Sequence, residues 1–216
     1  MDYDPAVADE MARKGVYLSP TISPSRVGNT AADAHLTEVR RRTLAMRPKI
    51  REAQRDMLAR GVKIIGLSVD PVENHEKWAG DIAETQGAAP NYPLIGDADF
   101  TVSQLYGMLP ADTSGDPTQR TPAQNQTVRN VFVVGPDKRI KLILVYPMTT
   151  GRNFDEVLRV IDSLQLTARH RVATPANWRQ GDDVIIAGSV SDDEARTIWP
   201  HGWAAPRPYI RIVPQP

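Results

Sequence analysis

Apolar positions along the chain change period several times, and each change marks an element. From about Thr30 to Arg60 the spacing is helical: Leu36, Val39, Thr43 and Met46 share one face. Pro48 interrupts this pattern. Ile50, Ala53, Met57 and Leu58 then form a second stripe, with Gly61 where a C-terminal cap belongs. Before this, Gly15-Val16-Tyr17-Leu18 reads as a short strand cut off by Ser-Pro pairs. From Val62 to Val69 the run is β-branched and almost wholly apolar, which suits a strand covered on both faces. Asp70-Pro71-Val72-Glu73 opens a helix with Trp78, Ala79, Ile82 and Ala83 as its inner face, and Gly87 closes it.

Tyr92–Ile95 predicts a short strand, and a helix follows over about Phe100–Tyr106. Residues 107–127 have no period and predict a long loop. Val128–Val134 and Arg139–Tyr146 flank Gly135-Pro136-Asp137-Lys138, which predicts a β-hairpin. Phe154, Val157, Leu158, Ile161 and Leu164 make an amphipathic helix. The order from residue 62 is strand, helix, strand, helix, strand, strand, helix. That is an α/β pattern ending in an antiparallel hairpin, as in a thioredoxin-like sheet. Beyond Thr167, Trp178, Trp199 and Trp203 join six prolines. Short strands over Asp182–Ala187 and Tyr209–Val213 and a small helix over Asp192–Trp199 predict an appended α+β module.

Composition narrows the function classes. Lys and Arg number 26, as do Asp and Glu, so there is no global pull toward nucleic acid or an anionic membrane. The arginines from Arg40 to Arg60 have no interleaved aromatics and read as a solvated helix face. His35, His75, His170 and His201 lack metal-ligand spacing, and no metal site or cofactor is expected. Asp192-Asp193-Glu194 reads as a charged first helical turn, and the tryptophans read as module core. Apolar runs are too short to span a bilayer. The chain has no cysteine, so disulfides and thiol chemistry are excluded, which fits a cytoplasmic setting.

Several separated motifs carry a family resemblance. They are Gly61–Asp70 with Glu73-Asn74-His75 and Trp78; Val128–Lys138; Tyr146–Glu156; Leu164–Thr167; Val172–Trp178; and Pro214-Gln215-Pro216. Over residues 62–216 the chain resembles one-cysteine peroxiredoxins of the AhpC/TSA family. The resemblance implies an α/β fold: a partial thioredoxin-like sheet with flanking helices, plus the C-terminal module. The implied domains are 1–61, a helical segment of uncertain origin; 62–167, an incomplete core; and 168–216, the module. It also implies antioxidant, thiol-dependent reduction of hydrogen peroxide and organic hydroperoxides. Arg129 and Arg152 match the family's pocket arginines. A homodimer through the Arg139–Tyr146 edge strand is implied too.

The family's cysteine would fall near Thr43 by spacing. A threonine hydroxyl is scarcely ionised near neutral pH and has no sulfenate chemistry. No catalytic residue is therefore assigned with certainty, and peroxide is a substrate only if activity survives the loss. The expected alternative is a non-catalytic dimerising or interaction module. Residues 10–62, from Lys14-Gly15-Val16-Tyr17-Leu18 to Leu58-Ala59-Arg60-Gly61, carry a second resemblance, to a stretch of amidohydrolases. That suggests a chimera or misread frame joined near Gly61.

Overall fold

The computed structural model describes residues 17–20, 54–86, 89–109 and 129–216. Strands are β1 Tyr17–Pro20, β2 Lys63–Ile64, β3 Gly66–Ser68, β4 Leu94–Gly96, β5 Arg129–Val134, β6 Ile140–Tyr146, β7 Val172–Ala173, β8 Val184–Ile186, β9 Ala204–Arg207 and β10 Ile210–Val213. Helices are α1 Val72–Gln86, α2 Thr101–Leu105, α3 Phe154–Arg169 and α4 Asp192–Ile198, with residues 54–59 also helical. Among the described residues, no helix is long and apolar enough to cross a membrane. The rest of the expected Thr30–Arg60 helix and most of the 107–127 loop lie outside the described residues.

The expected strand Val62–Val69 is present but broken at Ile65 into β2 and β3. One four-stranded sheet runs β2-β1-β5-β6, and β3 pairs in parallel with β4. β1 runs parallel to β2 and antiparallel to β5. The four-residue β1 thus lies between β2 and β5. The core of this unit is apolar and tightly enclosed: Met57, Val62, Val69, Val131 and Val133 are essentially inaccessible. Around it, Leu67, Met108 and Phe132 cluster under Ile95 and Val102.

Two local devices shape this unit. The hairpin turn closes through a hydrogen bond donated by the Gly135 N–H to the Arg139 carbonyl at 2.9 Å. A side chain at Gly135 would meet the flexible ends of Lys141 at 2.5 Å and Asp137 at 2.7 Å, which would have to move aside. The other device is Asp97, which is buried. Its carboxylate accepts from Val102 N–H at 2.9 Å, Ser103 N–H at 2.7 Å and the Ser103 hydroxyl at 2.5 Å. It thereby satisfies donors that the start of α2 would leave bare.

The chain divides between Arg152 and Asn153 into two compact units. In the second unit the Asn153 side chain caps α3 by accepting from the Glu156 N–H, and Ser191 caps α4 by accepting from the Glu194 N–H. Asp192, Asp193 and Glu194 occupy the first turn of α4, as expected. The module sheet runs β7-β8-β10-β9; the edge strands β7 and β9 had no clear sequence signal. Trp178 is 2% exposed among Leu166, Val184, Ile186 and Val213, and Trp199 and Trp203 pack against this cluster. Trp178 is therefore module core, with Trp199 and Trp203 half-buried against it.

One buried charge ties the module together. Arg211 donates to Asp192 at 2.7 Å and to the Ala187 and Val190 carbonyls at 3.2 and 2.6 Å, and it lies over the Trp203 ring. Trp178 also donates its indole N–H to the Asp182 carbonyl at 3.1 Å. Removing that ring empties the centre of the module. Trp178→Ala is expected to cost about 3–5 kcal/mol, read as a lowered denaturant midpoint in equilibrium unfolding.

Candidate functional site

The hairpin places the two arginines. Arg129 is the first residue of β5 and pairs in register with Tyr146, the last residue of β6. The chain then turns, with the Thr150 N–H donating to the Pro147 carbonyl at 2.9 Å, and reaches Arg152 a few residues later. The two guanidinium groups thus come to one end of the sheet, near enough for Arg129's charge to act on Arg152.

Tyr92, which precedes β4, completes the cluster with Tyr146. Burial, and then the like charge of Arg129, bring Arg152 down from the usual arginine range to about 10, while the phenols of Tyr92 and Tyr146 pull the other way. Burial pushes the Tyr92 phenol up to about 12 against the opposing pull of Arg152. Arg129's Nε is buried with no hydrogen-bond acceptor among the described residues. Two half-buried cations facing two phenols make a site that favours incoming or developing negative charge, and they could polarise an O–O bond. They cannot accept an oxygen atom.

Sequence reasoning found Arg129 and Arg152, and the structure brings them together. It missed Tyr92, whose place depends on the parallel pairing of β3 and β4 rather than on any local motif. Thr43 lies outside the described residues. His75 is buried on α1, and burial lowers its pKa against the opposing charge of Asp70. Neither of its ring nitrogens has a partner among the described residues. Among those residues no cluster of His, Asp and Glu could hold a metal ion.

With this geometry in view, comparison with known proteins is informative. Residues 44–143 match the sequence profile of the AhpC/TSA family, and residues 163–198 match that of the C-terminal domain of 1-Cys peroxiredoxin. A 1-Cys peroxiredoxin of Dictyostelium discoideum is 44% identical over 157 residues, which is 73% of this chain and 61% of that protein. Peroxiredoxin-6 of Rattus norvegicus is 45% identical over 169 residues, 73% of this chain and 72% of that one. The chain therefore spans under two thirds of the Dictyostelium relative's length.

Two solved structures are similar over nearly all of this chain. A mutant of Arenicola marina peroxiredoxin 6 superposes with a TM-score of 0.70 at 35% identity, covering 97% of this chain and 90% of that one. The yeast mitochondrial 1-Cys peroxiredoxin gives 0.72 at 36%, covering 96% and 90%. The amidohydrolase resemblance of residues 10–62 finds no support. The family match begins at residue 44, inside that stretch and upstream of the expected junction at Gly61.

The two perturbed groups make opposite contributions at alkaline pH. Tyr92 holds its proton more tightly when folded, so its contribution to stability is lost as pH rises from about 10 to about 12. Arg152 releases its proton more readily when folded, so its term rises with pH from about 10 upward. Tyr92→Phe should remove the latest phenol transition from the alkaline absorbance titration at 295 nm. It should also flatten the loss of stability over that range.

Proposed function

Because the chain belongs to the peroxiredoxin family, we propose that it is a cysteine-free member that keeps the arginine pocket but does not turn over peroxide. One observation carries this reading: Arg129 and Arg152 are gathered into one site, yet the chain contains no cysteine. The arginines would attract and polarise a hydroperoxide. Completing its reduction takes a group that accepts one oxygen atom and is then regenerated by a second thiol. A methionine thioether accepts oxygen only stoichiometrically here, since thiols alone do not return its sulfoxide.

The role left to the protein is that of a non-catalytic dimerising module in a cytoplasmic setting. β6 supports this: it ends the sheet order β2-β1-β5-β6, and Ile143 and Val145 stand 51% and 61% exposed along it. An unpaired edge with apolar side chains is a template for a second strand. A second copy of the chain, pairing β6 with β6, satisfies the free backbone groups by two-fold symmetry.

Two measurements test this reading. Hydrogen peroxide consumption with dithiothreitol as donor should not exceed the rate without protein, and sustained turnover by pure protein would overturn the proposed inactivity. Light scattering after size exclusion should give a dimer at micromolar concentration, and Ile143→Lys with Val145→Lys should shift it to monomer. A monomer without those substitutions would rule the dimer out.

A further inference from the structure

The most deeply buried side chain described on α1 is an imidazole. His75 is 8% exposed, whereas Val72, Trp78, Ala79, Ile82 and Ala83 on the apolar face are half-buried. A neutral imidazole carries one donor and one acceptor. Neither ring nitrogen of His75 has a hydrogen-bond partner among the described residues. The ring belongs to the first turn of the helix, and that turn begins close against β4. A Cβ built on Gly96 of β4 would lie 2.9 Å from Val72 Cγ2 and 3.2 Å from the Asp70 carbonyl oxygen. We propose that His75 is an acid-sensitive latch: its neutral ring lets the start of α1 lie against β4, and its protonation releases that contact.

Three features of the folded site oppose a charge on the ring. It is buried, so an imidazolium there loses its hydration. Protonation turns both nitrogens into donors, and neither has an acceptor. The first turn of a helix also carries positive partial charge. Among the described residues, the charged groups that act on the ring are Asp70 and Glu73, and both favour the imidazolium. Burial outweighs them and holds His75 below its ordinary value of 6.5. The Asp70 carboxylate accepts from the Ser68 hydroxyl at 2.9 Å, and Glu73 stands exposed to water.

The same two acids favour the released state, since an imidazolium that reaches water beside them gains both hydration and opposite charge. Release reaches beyond the helix. β4 is one of only two strands in its sheet, and Tyr92 of the arginine cluster lies just before it. The sign of the pH dependence follows from the burial. The folded ring binds a proton less readily than a histidine in the unfolded chain. Its contribution to stability is full above about pH 6.5 and is lost as pH falls below that value. The loss is up to about tenfold in the folding equilibrium constant per pH unit.

The test joins three measurements on the full chain. In NMR titration the His75 ring should take up its proton below the ordinary histidine value. In urea unfolding, the chain should lose up to about tenfold more in folding equilibrium constant per pH unit, from about pH 6 to about pH 5, than His75→Phe, which cannot be charged. Amide exchange over residues 72–79 and 94–96, corrected for intrinsic rate, should quicken at about pH 5 while residues 157–166 of α3 hold steady. A His75 ring that titrates at or above its ordinary value, equal pH dependence in the two chains, or quickened exchange spread evenly along the chain would each overturn the latch. Should His75→Phe fail to fold, the ring titration and the exchange pattern of the unsubstituted chain decide the matter.

Discussion

The antiparallel pairing of β5 with β6, closed by the Gly135 N–H donating to the Arg139 carbonyl, sets the register of the whole hairpin. A slip of one residue would turn every β5 side chain to the opposite face. Val131 and Val133 would trade faces with Asn130 and Phe132, which are buried on the other side, and Arg129 would no longer face the end of β6 at Tyr146. The arginine pair, the buried strand and the exposed edge all follow from one pairing. That is why the site survives in a chain whose nucleophile is absent: its geometry is a by-product of the sheet.

The pocket illustrates how electrostatics and nucleophilicity separate. Bringing Arg152 near Arg129 under partial burial is unfavourable, and the downward displacement of its pKa records that cost. In a thiol enzyme such a field returns the cost by stabilising a thiolate and polarising an O–O bond. This chain contains no thiol. The Tyr92 phenol, held neutral by burial, offers a hydrogen bond to an anion but no route for oxygen transfer.

Much of the architecture was legible because it is locally encoded. The Gly-Pro-Asp-Lys turn between two apolar runs located the hairpin to within a residue or two. Phe154, Val157 and Ile161 located α3, and Asp192-Asp193-Glu194 located the start of α4. Non-local pairings were not legible. Tyr17-Leu18 suggested a strand, but nothing in four residues says that it lies between Lys63–Ile64 and Val131–Val134. Asp97 gives no sign that its carboxylate will gather the first turn of α2. Arg129 and Arg152 were identifiable by motif, whereas Tyr92 joins them only through tertiary pairing.

Arg211 shows where the C-terminal module can and cannot drift. Its planar head reaches one carboxylate and two carbonyls at once, so strand β10 and the start of α4 share a single knot. Aliphatic neighbours such as Val184 and Ile186 can trade volume with one another at modest expense. A lysine at 211 would keep the charge but lose the planar fork, and carbonyls inside the fold would go unanswered. In this small domain, one cation is constrained by its partners where the aliphatic core is constrained only by volume.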